Sequence, residues 1–347
     1  VKPYEFTDSE LFEFRAKGRK TRHLVTGALG HIGSYIVQHL SHLPNVSVLA
    51  IDNGYNSNLS NIEDTRIDAH PTQTSSEVKW DANVNIANPD RILMLLDEFD
   101  PDYVYHQASM LTIDSSADPD EAYHVNTYGF WLLANWCAEN GKKFVYASSA
   151  SVYGNPHQVP TPETHGYHNH YRTYGCTKMA NEYLARGLIE DSGAQIVGLR
   201  YFNVYGYRQS MKNMYVQILP LMIKSLFKGE PLQLLSNGSQ TMDMVHGYDV
   251  GLANVLVMGN PELTRGFFNV GSGIETSVKQ LHELVKANMP LYDDTVLYGS
   301  RDEDTILRRC ADVTLMHKNI MRHTVSVEEG VAHTVERLLN DQTRFPK

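Results

Sequence analysis

Apolar residues recur along the first two hundred positions in short blocks, each followed by a longer stretch with helical spacing. His23-Leu-Val25 is a short apolar run that ends in Thr26-Gly27-Ala-Leu-Gly30-His-Ile-Gly33. A helical pattern follows to Leu40. Val46 to Ile51 predicts a second strand, closed by Asp52-Asn53, and Val78 to Asp81 a third. Pro89 to Phe99 predicts a helix whose apolar face is Ile92, Leu93, Leu95 and Leu96. Tyr103 to Tyr105 and Phe144 to Ala147 predict strands on either side of a long helix, Ala122 to Asn140, stopped by Gly141. Tyr174 to Glu190 predicts a helix and Gln195 to Leu199 a sixth strand. Strands alternating with helices predict an α/β fold: a doubly wound parallel sheet of Rossmann type.

After Arg200 the rhythm changes. A helix over Ile218 to Lys228 is set among loops containing Gly229, Pro231 and Gly238, and a last helix runs near Val327 to Leu339. The expected organisation is an N-terminal extension (1–20), a parallel-sheet domain (21–200), and a smaller mixed α/β lobe built mainly from 201–347. Some segments of that lobe return to the first domain. Leu11 to Phe14 predicts a short helix docked on the body.

Composition removes several classes. The chain has 347 residues with 42% hydrophobic and 20% charged, ordinary for a globular protein. Its net charge of −10, with no long basic run, argues against a nucleic-acid partner. No run is apolar enough to predict a membrane span, and Val1 to Lys20 shows no signal-peptide core. Three cysteines, Cys137, Cys176 and Cys310, show no CxxC spacing, which fits a cytoplasmic, reducing setting. The His165, His168 and His170 loop lacks acidic or cysteine partners, so no metal is expected.

Two patterns carry chemistry. Gly27, Gly30 and Gly33 follow a strand and open a helix, where backbone amides can approach a pyrophosphate. Asp52 at the end of the next strand can accept from a ribose diol and repels a 2′-phosphate. No Arg or Lys follows in Asn53 to Asn58, so NAD is expected rather than NADP. Asp81 ends the third strand and is expected at the adenine edge. Tyr174 and Lys178 stand four apart on one helix face, with Ser149 upstream. An ammonium beside a phenol favours the phenolate, giving a base that can take a hydroxyl proton.

Six motifs in order then resemble the extended short-chain dehydrogenase/reductase family, specifically its nucleotide-sugar epimerases. They are TGALGHIGS at 26–34, IDN at 51–53, HQAS at 106–109, SSASVYG at 148–154, YGCTK at 174–178 and LRYFNVYG at 199–206. The resemblance runs from about Arg22 to about Leu339. It implies catalysis by Ser149, Tyr174 and Lys178. It implies cofactor contacts from Gly27, Gly30, His31, Ile32, Gly33, Asp52, Asn53, Asp81, Gln107, Ala108, Ser109, Asn126 and Lys178. Substrate contacts fall to Ser149, Ser151, Tyr174, Asn203, Arg208 and Arg301. The implied activity is C4 epimerisation of a nucleotide-diphosphate sugar, in carbohydrate biosynthesis, through a 4-keto intermediate. The implied assembly is a homodimer pairing the helices at 119–140 and 174–190, with Leu132, Leu133 and Trp136 serving either as contacts or as core.

Ala150 and Ser151 stand where related dehydratases carry an acid pair, which disfavours dehydration by that route. A net C4 dehydrogenase or keto-sugar reductase uses the same triad; only the fate of the hydride differs. The chain departs from its relatives at Gln240-Thr-Met242-Asp243, where Met242 replaces an arginine that contacts phosphate. Arg301, Arg208 or Lys212 is expected to supply that charge.

Overall fold

The computed structural model describes residues 14, 19–57, 59–61, 77–167, 172–210, 217–235, 237–292, 295–299, 306–323 and 325–341. Strand β1 (Thr21–Thr26) leads to helix α1 (His31–Ser41), β2 (Val46–Ile51), β3 (Glu77–Asp81), α2 (Pro89–Phe99) and β4 (Tyr103–His106). A π-helical turn (Tyr123–Tyr128) runs into α3 (Gly129–Glu139), followed by β5 (Lys143–Ser149), α4 (Thr173–Ser192) and β6 (Ile196–Tyr201). The second half contains β7 (Asn203–Tyr205), α5 (Ile218–Lys228), β8 (Leu232–Leu235), β9 (Thr241–His246), α6 (Gly247–Gly259), β10 (Gly266–Val270) and β11 (Glu275–Ser277). Helix α7 (Val278–Asn288), β12 (Val296–Gly299), β13 (Arg308–Arg309) and α8 (Val327–Asn340) complete it.

Seven parallel strands form the main sheet in the order β10-β6-β5-β4-β1-β2-β3. Both faces are covered, which is why β2 and β6 read as nearly unbroken apolar runs. One face packs Ile36, Leu40, Val250 and Val257 of α1 and α6. The other packs Leu96, Phe130, Leu133 and Ala185 of α2, α3 and α4. Strand order reverses between β1 and β4, and their C-terminal ends open the crevice where such sheets bind ligands. Segments β10 and α6, from the second half of the chain, close the sheet edge and one face. The buried Lys143 ammonium donates to the carbonyls of Val257 (2.7 Å), Met258 (3.1 Å) and Asn260 (2.7 Å). A cation there satisfies the exposed carbonyls at the C-terminus of α6.

A smaller lobe is built on β11-β9-β13 with β7 alongside β9, and on the pair β12-β8. Its core joins Leu219, Ile223 and Leu226 of α5 to Leu281 of α7 and Val331 of α8. Phe14 is buried edge-on against His23 and Tyr103, at 5.0 and 5.2 Å between ring centres. The rest of the predicted helix at 11–14 lies outside the described residues, as do His168 and His170. Among the described residues, no cluster of His, Cys, Asp or Glu is placed to hold a metal, and no helix is long and apolar enough to cross a membrane.

One element differs from its sequence expectation. The long helix starts at Ala122 in pattern, yet residues 123–128 wind as a π turn. Asn181 of α4 donates to the backbone carbonyl of Asn126 (2.8 Å), drawing that turn toward α4. Single π turns of this kind concentrate near functional sites.

Buried histidines weaken the fold in acid: burial holds His39, His106 and His246 below their ordinary value. Burial pushes His39 and His106 down to about 3. Their folded values lie below the unfolded value near 6.5, so nothing is lost above about pH 6.5. Below that, the unfolded chain takes up protons the folded chain refuses, and stability falls as pH drops toward 3. At pH 5 each histidine is expected to cost about 2 kcal/mol. Urea midpoints compared at pH 8 and pH 5 check this; equal midpoints contradict it.

Candidate active site

The glycine loop is shaped by contacts that leave no room for a side chain. Gly27 adopts φ +62°, and a Cβ there would stand 2.6 Å from the Ala108 amide nitrogen. A Cβ on Gly33 would stand 2.1 Å from the Gly27 carbonyl oxygen. The first turn of α1 therefore presses directly on the loop that follows β1, and so does the segment after β4. Gly30, at the N-cap, is extended, and no side chain caps the helix. The amides of the first turn, which includes His31 and Ile32, thus face the crevice at the positive end of an uncapped helix. This is a built anion cradle.

Asp52 holds the loop from the side. One carboxylate oxygen accepts from the Leu29 amide (3.0 Å), the other from the Gly54 amide (2.8 Å) and the Ser57 hydroxyl (3.2 Å). Asn53 is exposed and accepts from the Tyr55 amide (3.0 Å). Asp81 is engaged by Arg91 (2.8 Å) and by the Asn83 amide (3.1 Å).

The reacting groups meet at the C-terminal end of β5. Ser149 ends that strand and caps the short helical turn Ala150–Tyr153. Its oxygen accepts from the Ser151 amide (3.1 Å) and the Ser151 hydroxyl (2.8 Å). With both lone pairs occupied, the Ser149 hydrogen is left to donate, and its influence pulls the Tyr174 phenol down. Helix α4 carries Tyr174 and Lys178 on one face. The Lys178 Nζ lies 5.5 Å from the centre of the Tyr174 ring and donates to the Ala147 carbonyl (2.9 Å).

The electrostatics differ from the sequence expectation. Burial raises the Tyr174 phenol above its ordinary value, and the Ser149 hydrogen bond pulls it back. Burial also pushes Lys178 down to about 7. The ammonium sits over the ring and on a backbone carbonyl rather than on the phenol oxygen, so in this arrangement Ser149, not Lys178, is the group that favours the phenolate.

Several predicted residues serve as braces. The Asn126 carboxamide accepts from the Ser109 hydroxyl (3.0 Å) and the Met110 amide (2.7 Å). It donates to the Met110 carbonyl (3.1 Å) and the Thr177 hydroxyl (3.2 Å). Gln107 donates to Asn254 (3.1 Å) and accepts from Tyr201 (3.0 Å). Ala108 donates its amide to Thr26 (3.3 Å). These side chains fix the segment after β4 instead of presenting open polar groups to the crevice.

On the substrate side, Asn203 fits a ligand: its Oδ1 is buried with no hydrogen-bond partner. Arg208 is buried in an aromatic setting. Its guanidinium is buried over the Tyr35 ring (4.1 Å) and donates to the Tyr207 hydroxyl (3.0 Å). It packs against two tyrosines, one from α1 and one from the segment after β7. Arg301 and Lys212 lie outside the described residues. Sequence reasoning missed Glu182 and Arg200, which pair behind the site at 2.6 Å. Glu182 stands four residues beyond Lys178 on the same helix face, and that spacing was the available signal.

The glycine contacts give a direct test. Gly33→Ala is expected to abolish dinucleotide binding in a fluorescence titration, because a methyl 2.1 Å from a backbone oxygen must push α1 off the loop. Wild-type affinity in a folded Gly33→Ala protein contradicts the cradle.

Comparison with known proteins agrees with this geometry. Residues 23–271 match the model of the NAD dependent epimerase/dehydratase family. The UDP-glucose 4-epimerase of Mycolicibacterium smegmatis is 30% identical over 92% of this chain and 99% of its own. A UDP-glucose 4-epimerase of Thermotoga maritima, solved with UDP-glucose, superposes with a TM-score of 0.79 at 26% identity, over 91% of this chain and 98% of that one. The Thermus thermophilus UDP-glucose 4-epimerase, solved with NAD, gives 0.77 at 25% identity, over 92% and 99%. The uncapped helix, the side-chain-free loop and the carboxylate at Asp52 fit NAD as cofactor, and the chain belongs to the NAD dependent epimerase/dehydratase family.

Proposed function

We propose that this enzyme inverts C4 of the sugar in a nucleoside-diphosphate sugar, through a 4-keto intermediate, without net redox change. The observation that carries the reading is the line Ser151–Ser149–Tyr174 with Lys178 beside it, at the mouth of a dinucleotide cradle. Tyr174 takes the proton of the 4′-hydroxyl. Ser149 orients the phenol and hydrogen-bonds the reacting oxygen. Lys178 places its positive end against the nicotinamide ribose and the Tyr174 ring. Bound NAD supplies a hydride acceptor whose hydride can be returned to the opposite face of the sugar. The pyrophosphate falls to the amides of His31 to Gly33, the ribose to Asp52, and the diphosphate of the substrate to Asn203. His31, Ile32, Asn53 and Asp81 border that path. Small residues at 150 and 151 leave no acid to expel a hydroxyl, which supports epimerisation over dehydration.

The same reading includes a homodimer through the outer faces of α3 and α4. Tyr183 is 59% exposed there, and Leu132 is partly exposed. Leu133 and Trp136 instead belong to the core. A cytoplasmic setting is part of the proposal, supported by three unbridged cysteines.

Proton NMR with a panel of UDP-, GDP- and CDP-sugars and no added cofactor is expected to show a stereoisomer approached from both sides. Conversion only after NAD or NADH is added moves the assignment to a net oxidoreductase. Tyr174→Phe is expected to lower kcat by about a hundred- to ten-thousandfold; unchanged turnover removes its role as base. Ser149→Ala takes away the hydrogen bond that favours the phenolate. The rise of kcat/KM with pH is therefore expected at higher pH than in wild type, and a shift to lower pH or none contradicts the assignment.

A further inference from the structure

We infer that Glu182 and Arg200 act together as a positioning pair for the reacting groups, setting the height and rotation of α4 against β5. Their interaction lies one helical turn behind Lys178 and one residue behind Ser149. Glu182 Oε1 accepts from the Ser148 hydroxyl (2.6 Å) and from Arg200 Nε (2.9 Å). Its Oε2 accepts from Arg200 Nη2 (2.6 Å) and from the Tyr167 hydroxyl (2.7 Å). Arg200 Nη1 donates to the Tyr153 hydroxyl (2.9 Å) and the Glu163 carbonyl (3.0 Å). Both side chains are almost wholly buried, Arg200 at 2% and Glu182 at 0% exposure.

The geometry makes this more than a buried ion pair. Ser148 and Arg200 are register partners in β5 and β6, and Ser149 pairs with Tyr201 next to them. Glu182 therefore grips both strands at the level where Ser149 leaves the sheet. On α4 it shares a face with Tyr174 and Lys178, spaced by four residues each. A slip of α4 along its axis strains the fork between guanidinium and carboxylate together with the Lys178 contact to the Ala147 carbonyl. A bidentate fork tolerates little rotation or translation, which suits it to this task. The pair also reaches forward: Tyr153 donates to Asn269 (2.6 Å), whose amide donates to the Thr161 and Asp312 carbonyls (2.8 and 3.1 Å). The catalytic end of β5 is thus tied to the segment leading into the smaller lobe.

The inference rests on the proposed chemistry of Tyr174, and its test separates the two. The double substitution Glu182→Met with Arg200→Leu removes both charges together, so that neither is left buried alone. Glu182→Gln keeps the shape and serves as a second variant assayed on its folded fraction. Each is compared with wild type for Tm, for kcat and KM by NMR, and for Tyr174 ionisation by ultraviolet titration against its own Tyr174→Phe counterpart. Positioning predicts a folded variant whose kcat falls about a hundredfold with KM nearly unchanged, and whose Tyr174 ionises at higher pH because the Ser149 bond loosens. A merely structural pair predicts lower Tm alone; wild-type kcat and Tyr174 titration in either folded variant overturn the proposal. If wild type isomerises no nucleotide sugar, the proposed reaction fails, while the Tyr174 titration still decides the positioning role.

Discussion

The structure hangs on a backbone-to-backbone contact at the centre of the sheet. Gly33 in the first turn of α1 sits where any Cβ would meet the Gly27 carbonyl, and Gly27 sits equally close to the start of the segment after β4. Those contacts bring the N-terminus of α1 to the reversal between β1 and β4. Everything ligand-facing follows from that placement. The helix end supplies amides, Asp52 at the end of β2 reaches back to hold the loop, and Gln107 to Ser109 form the opposite wall. Side-chain chemistry is added only where the sheet continues outward, at the end of β5.

Burial then creates an electrostatic problem that the fold solves unevenly. Arg200 and Glu182 are fully matched, with each nitrogen of the guanidinium directed at an oxygen, as a buried pair requires. Lys143 is matched by helix carbonyls. Lys178 and Tyr174 are not matched to the same degree. The ammonium has one carbonyl, and its affinity for protons falls to about 7. The phenol has one serine and is raised. Groups left under-stabilised by burial respond strongly to a nearby ligand charge, and such perturbed groups mark sites of chemistry. The contrast within a few ångströms separates what holds the site from what reacts in it.

The parallel sheet was legible because its strands are short apolar runs followed by helical periods, and α5 is read with the same limits from pattern and from structure. The loop, Asp52 and the Ser149–Tyr174–Lys178 group were legible because they lie in local motifs. The braces were not. Asn126, Gln107 and Ser109 carry polar side chains that a motif marks as near the cofactor, yet their partners, Thr177, Tyr201 and Asn254, come from distant segments. No local spacing says which of two roles a carboxamide takes. The π turn was hidden for a related reason: residues 122–140 have helical periodicity throughout, and the winding changes because Asn181, far along the chain, takes the Asn126 carbonyl.

Met242 shows how far a position-by-position reading goes. The resemblance places an arginine there, and such a reading seeks its replacement at Arg301, Arg208 or Lys212. The structure puts Arg208 in an aromatic stack with two tyrosines. The strand register points elsewhere. In the parallel pair β13–β9, Arg309 stands directly beside Met242, so both residues belong to the same sheet face. Asn203 stands beside Met244 on that face too, across the shared strand β9. That face packs on the core of the smaller lobe, with Met244 buried and Met242 partly so, and Arg309 is half-buried on the neighbouring strand. Which residues share a face leaves no trace in a motif, because motifs follow the chain and a sheet face is assembled across it.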